Sequence, residues 1–213
     1  MDRLGVNAAP LRIGLTGGIG SGKTTVAAIL VACGAQLVDT DAIARQLTQP
    51  GGTALPAIVE AFGPQSLAPG GALDREWMRK LVFADATAKA RLEALLHPLI
   101  GEEALRQQAA GTGRPIVFDV PLLTESQGPR SWRSRVERVL VVDCNESTQL
   151  SRVAARPGWS EELARRVVAQ QAPRATRRQV ADAVIFNEGL DLEQLDAQVR
   201  SLWQLWVGPR AAD

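Results

Sequence analysis

The sequence predicts an α/β fold in which a parallel sheet is covered on both faces by helices. Three observations predict it. Short apolar runs, at residues 11–16, 36–39, 115–120, 139–143 and 183–186, alternate with segments of helical periodicity. A cluster of glycines follows the first run at the point where strand should give way to helix. Aspartates end the second and third runs, at the carboxyl edge of a sheet where ligands of such folds bind.

The first strand, 11–16, leads into Gly17-Gly18-Ile19-Gly20-Ser21-Gly22-Lys23-Thr24-Thr25. Gly17, four residues, then Gly22-Lys23-Thr24 is the spacing of a phosphate-binding P-loop, and a helix over 24–31 completes its context. Glycines let consecutive N–H groups turn toward one anion, and the helix aims its positive end at the same phosphates. Residues 17–25 are therefore the expected ATP-binding loop. Lys23 can bridge the β- and γ-phosphates, and the Thr24 hydroxyl can ligate Mg2+. The fold expected is a P-loop NTPase: a three-layer α/β/α core with a five-stranded parallel sheet.

The second strand, 36–39, is expected beside the first. Asp39-Thr40-Asp41 at its end precedes a helix over 42–47. Asp41 can cap that helix, or take a proton from an acceptor hydroxyl, and the two roles are compatible. Asp39 can hold magnesium through water. An all-helical block then occupies 53–110, with helices at 53–62, 74–83, 85–96 and 99–109 and a Gly/Pro-rich link at 63–71. Asp74 and Asp85 read as N-caps, and Pro98 as the start of a new helix. His97, the single histidine, is either a helix-end residue or a substrate contact. Asp119 ends the third strand, as a second magnesium-side carboxylate or as a buried structural one.

After the fourth strand, helices at 147–155 and 161–171 are joined by Arg156-Pro157-Gly158-Trp159-Ser160, with Ser160 starting the second and Pro173 stopping it. Residues 152–178 carry seven arginines against two glutamates. Arg165 and Arg166 fit a solvated face. Arg152 and Arg156, four apart before a Pro-Gly hinge, suit a helical flap closing over transferring phosphate. A last helix, 192–206, opens at Gly189 and Asp191 and offers Leu192, Leu195, Val199, Leu202 and Trp206 to the core.

Composition narrows the function. The 213 residues are 46% hydrophobic, enough for a sizeable core, and the net charge of +1 shows no nucleic-acid footprint. Tyrosine is absent, which argues against base stacking on single strands. Cys33 and Cys144 match no metal or redox spacing and read as reduced, buried hydrophobes. No apolar run of 18 residues predicts a membrane span and residues 1–10 show no signal pattern, so a cytoplasmic protein is the default.

The ordered series is more specific than the P-loop. Leu15-Thr16-Gly17-Gly18-Ile19-Gly20-Ser21-Gly22-Lys23, Val38-Asp39-Thr40-Asp41 with Arg45, His97-Pro98-Leu99-Ile100 and Pro121-Leu122-Leu123-Thr124-Glu125 resemble bacterial dephospho-coenzyme A kinases. Val141-Val142-Asp143, Gln149-Leu150-Ser151-Arg152 with Arg156, Arg166 with Gln170, and Asn187-Glu188-Gly189 continue the likeness, which runs from about residue 11 to 206. The resemblance implies ATP-dependent phosphorylation of the ribose 3′-hydroxyl of dephospho-CoA. It implies a core (11–52, 111–145, 179–207), a helical acceptor-binding domain (53–110) and a lid (146–178). Carried over, Asp41 is the base, Asp39, Arg45 and His97 are acceptor-side residues, Arg152 and Arg156 are lid arginines, and Asn187 and Gly189 border adenine. ATP and dephospho-CoA are the implied partners of a monomer or weak homo-oligomer. Residues 1–10 and 208–213 match nothing and are expected to be tails. A different acceptor, such as a nucleoside, a nucleotide or a shikimate-like molecule, would share every P-loop argument. The absence of an Asn-Lys-x-Asp sequence disfavours a GTPase switch.

Overall fold

The computed structural model describes residues 9–111, 114–124 and 131–208. Residues 1–8 and 209–213 of the expected tails, and Glu125 of the Pro121–Glu125 match, lie outside them. The chain divides into two compact units, Met1–Val38 with Gly111–Asp213, and Asp39–Ala110.

The first unit is built on strands β1 (Arg12–Gly17), β2 (Gln36–Asp39), β3 (Ile116–Asp119), β4 (Arg138–Asp143) and β5 (Ala183–Phe186). They form one five-stranded parallel sheet in the order β2-β3-β1-β4-β5. The parallel register aligns Leu15 with Asp119 on one side and with Leu140 on the other. Helices α1 (Lys23–Ala32) and α9 (Leu192–Val207) cover one face. There Ile13, Leu15, Val117, Leu140, Val142 and Ile185 pack against Val26, Leu30, Leu195 and Val199. The unit is completed by α6 (Glu146–Ala154), α7 (Glu161–Gln170), the short α8 (Arg174–Gln179) and a 3-10 turn at Trp132–Arg135.

Several expectations need correction. β2 is an edge strand separated from β1 by β3. The burial pattern explains the order: β3 is buried at all four positions, whereas Leu37 of β2 is 36% exposed. Helix α9 has the expected capping residue, Asp191, in a reciprocal box with Gln194. Leu192, however, is 73% exposed, because the buried stripe begins one turn later at Leu195. Cys144 is buried but Cys33 is only half-buried, and both thiols are free.

The second unit holds α2 (Thr40–Leu47), α3 (Leu55–Phe62), a 3-10 turn at Pro64–Ser66, α4 (Arg75–Ala84) and α5 (Ala86–Ala109). Its core joins Leu55, Ile58, Phe62, Leu73, Met78 and Ala88, with Leu92, Leu95, Leu96 and Leu99 packed alongside. Asp74 and Asp85 cap α4 and α5 through the N–H groups of Trp77 and Thr87, as the sequence predicts. Pro98 does not start a new helix. It lies inside α5, a single helix of 24 residues. An interior proline costs one backbone hydrogen bond and a steric clash, about 3 kcal/mol. Leu92, Leu95 and Leu96 before it and Leu99 after it all belong to the same apolar cluster, which offsets that cost.

Candidate active site

The phosphate side is built in the first unit. Gly22 is the N-cap of α1 at φ 95°, in the left-handed region, and Gly20 has φ 78°. No side chain caps α1, an arrangement that suits an anion at a helix N-terminus. Thr24 is exposed at that end. Lys23 Nζ is ion-paired with a carboxylate oxygen of Asp119, both side chains being largely buried. Asp119 is thus a buried strand-end carboxylate that sits on the P-loop lysine.

The outer side of the loop is braced by side chains. Gly17 lies so close to β4 that a Cβ would come within 2.5 Å of the Val142 carbonyl. A Cβ on Gly18 would collide with the Gln149 amide, which is 1% exposed. Arg152 donates from Nη1 to the Gly20 carbonyl and from Nη2 to the Asn187 carbonyl, each at 3.3 Å. Asn187, 5% exposed, donates from Nδ2 to the Ser21 carbonyl at 2.8 Å. Its amide thus holds the loop itself. Gly189 follows at φ 68° in the exposed connection from β5 to α9.

Arg152 and Arg156 do not share a helix face. α6 ends at Ala154, and Arg156 stands exposed in the following turn. The cause is Pro157, which drives the residue before it out of helical conformation. Ser160 caps α7 through the Leu163 N–H at 3.1 Å, and Arg165 and Arg166 pair with Glu161 and Glu162 on a solvated face, as expected.

Further polar residues, not evident from the sequence, cluster around Asp143, which ends β4 just as Asp39 and Asp119 end their strands. It is 1% exposed and takes a two-pronged bond from Arg174, at 2.9 and 2.8 Å. Hydrogen bonding to Asp143 raises the pKa of the Arg174 guanidinium. Burial pushes the nearby Cys144 thiol up, so that sulfur is a poor nucleophile. The Glu188 carboxyl is lowered, chiefly by the Thr148 hydroxyl and then by the Asn145 N–H. The rule that found Asp39 and Asp119 would also have found Asp143.

The second unit carries the other candidates. Asp39, not Asp41, caps α2: its Oδ1 accepts from the Ala42 N–H at 2.9 Å. Arg45 reaches the other Asp39 oxygen at 3.7 Å. Asp41 lies exposed in the first turn of α2. Asp39, Asp41 and Arg45 are therefore brought together on one short helix. His97 is not at a helix end but in the middle of α5, on its exposed side.

A dephospho-CoA kinase family model matches residues 11–193. The chain belongs to the dephospho-CoA kinase family. It is 52% identical over 197 residues to a Bordetella pertussis protein named dephospho-CoA kinase, covering 92% of this chain and 91% of that one. A Cupriavidus pinatubonensis protein of the same name is 54% identical over 196 residues, 90% of this chain and 92% of its own. Among solved structures, a Thermus thermophilus protein superposes with TM-score 0.81 at 31% identity, over 94% of this chain and all of that one. Shikimate kinase from Bacteroides thetaiotaomicron, at TM-score 0.54 and 17% identity over 92% and 98%, shares the fold.

Proposed function

We propose that this protein transfers the γ-phosphoryl group of ATP to the ribose 3′-hydroxyl of dephospho-CoA, giving coenzyme A and ADP. The observation that carries the reading is identity above 50% to relatives named for that activity, over nine-tenths of both chains. That stretch includes the helical residues 53–110 as well as the P-loop. The fold alone is shared with a kinase of a different acceptor.

In this reading 11–52, 111–145 and 179–207 form the nucleotide core, 53–110 bind the acceptor and 146–178 act as a lid. Asp41 accepts the hydroxyl proton as the oxygen attacks phosphorus in line, and the bond to the ADP oxygen breaks without a phospho-enzyme. Asp39, Arg45 and His97 hold the acceptor. Lys23, Arg152 and Arg156 neutralise charge on the transferring group. Gly189 and the backbone of Asn187 border adenine, while the Asn187 amide keeps the loop in shape.

Magnesium fits this donor set. Among the described residues no group of three or more His, Cys, Asp or Glu side chains could hold a metal unaided. A hard ion carried mainly by nucleotide phosphates needs only a few oxygen donors, here the exposed Thr24 hydroxyl with Asp39 and Asp119. When bound, it supplies charge neutralisation at the phosphates. No helix among the described residues is long and apolar enough to cross a membrane. We place the enzyme in the cytoplasm, as a monomer or weak homo-oligomer.

The test is turnover with Mg·ATP against dephospho-CoA, adenosine, AMP, pantetheine and shikimate, with coenzyme A followed by chromatography. Product from dephospho-CoA alone is expected. Phosphorylation of another acceptor with none of dephospho-CoA would overturn the reading.

A further inference from the structure

In the phosphate loop the Ile19 N–H is already taken by a distant side chain before any nucleotide arrives. Gln171 Oε1 accepts the hydrogen bond of the Ile19 N–H at 2.9 Å. Gln171 is also where α7 ends. Its own N–H closes the last turn on Val168 O at 3.2 Å, and its backbone is extended, at φ −81° and ψ 156°. Two residues on, Pro173 opens α8. The chain leaving α7 is fixed a second time by Arg177, which is 4% exposed. Its Nη1 donates to the Ala172 carbonyl at 2.6 Å, and its Nη2 lies only 2.8 Å from where a Cβ on Gly18 would sit. Residues 171–173 are thus tied to the first half of the P-loop at Ile19, with Arg177 packed close behind Gly18.

We propose that Gln171 is a positioning residue for the nucleotide. A run of glycines has more backbone freedom to lose than any other sequence, so a loop already fixed binds its anion at lower entropic cost. By accepting the Ile19 N–H, Gln171 presets the orientation of the Gly18–Ile19 peptide. The same bond makes the return point of the 146–178 segment a fixed pivot, so movement of α7 is felt at the loop. The proposal deepens the kinase reading and rests on it only for the turnover measurements.

The test compares Gln171→Met, of equal length but without an acceptor, with Gln171→Glu, which keeps an oxygen at the same place. Hydrogen exchange at Ile19 is read by NMR on the nucleotide-free full chain, and ATP binding by titration. Gln171→Met should exchange Ile19 at least about tenfold faster and weaken ATP about fivefold, the scale of one net hydrogen bond. KM for dephospho-CoA and the melting temperature should stay near wild type. Gln171→Glu should restore the Ile19 protection. Unchanged exchange in Gln171→Met, or equal loss in Met and Glu, overturns the proposal. Should Gln171→Met fold poorly, Gln171→Asn, one methylene short, is read the same way. None of the exchange or titration readouts requires an acceptor. Inactivity on dephospho-CoA would therefore sink the function and leave this inference standing or falling by itself.

Discussion

Asp39 and Asp41, two residues apart, are separated in role by a single hydrogen bond. Asp39 satisfies the start of α2, so Asp39→Ala should cost about 1 kcal/mol of stability whatever it does to turnover. The cap of α2 is Asp39 and not Asp41, and in the proposed role Asp41→Asn should leave ATP affinity nearly unchanged. Its kcat should fall by about 10²–10⁴, the usual worth of a positioned base. Comparable losses in ATP binding and kcat would remove Asp41 from that role. Far from the loop, Glu137 accepts from the Arg12 N–H at 2.7 Å and from its Nε at 2.8 Å. Burial raises the Glu137 pKa, but the bonds from Arg12 outweigh burial and the net shift is downward. A lowered folded-state pKa stabilises above the ordinary carboxylate range, and that stability is lost as pH falls through the folded value. The pair is part exposed, so the contribution is about 1 kcal/mol or less. Glu137→Gln should therefore lower stability near neutrality by about 1 kcal/mol or less, and the difference from wild type should shrink below about pH 5, where the carboxylate is protonated anyway.

At the scale of elements, α5 makes the sharpest prediction. Pro98 is exposed and sits inside a helix that persists because of packing on both sides of it. Pro98→Ala restores an N–H and should add about 1–3 kcal/mol, read as a higher melting temperature. No gain would mean that the proline's cost is already relieved in place. The helix also shows where sequence reading stops. Caps are local chemistry, and Asp74, Asp85, Ser160 and Asp191 were legible because each needs only an N–H two or three residues away. Pro98 was misread because its tolerance depends on leucines spread over α5 and on partners in α3 and α4. The end of α6 before Arg156 was a local matter after all: Pro157 was in view, and its effect on the preceding residue outweighed the i, i+4 spacing.

For the molecule as a whole, the residues proposed for catalysis and binding come from segments scattered from Gly17 to Gly189. The candidates themselves were legible, since a P-loop and strand-end carboxylates announce themselves. The order of strands was not legible, because β2 at the edge and β3 between it and β1 are both short apolar runs that end in aspartate. Likewise Gln149, Gln171 and Arg177 looked like ordinary helix residues until the fold set them behind Gly18 and Ile19. Nucleotide that binds the folded chain alone should stabilise it by about 2.7 kcal/mol at a hundred times Kd. For a protein of this size that is a rise of about 5–10 °C in melting temperature, expected with Mg·ATP and reduced in Lys23→Met.

The turn after α6 also has an optical consequence. The chain has five tryptophans and no tyrosine, so its intrinsic ultraviolet emission comes essentially from indole. Trp159 sits in that turn, its N–H closing on the Arg156 carbonyl at 3.1 Å, while Trp203 and Trp206 pack against the core of the sheet. Replacing Trp77, Trp132, Trp203 and Trp206 by phenylalanine would leave one emitter, placed between the two arginine-bearing helices. Its colour and quenching would then report whether that segment moves as the proposed lid should, without any attached dye.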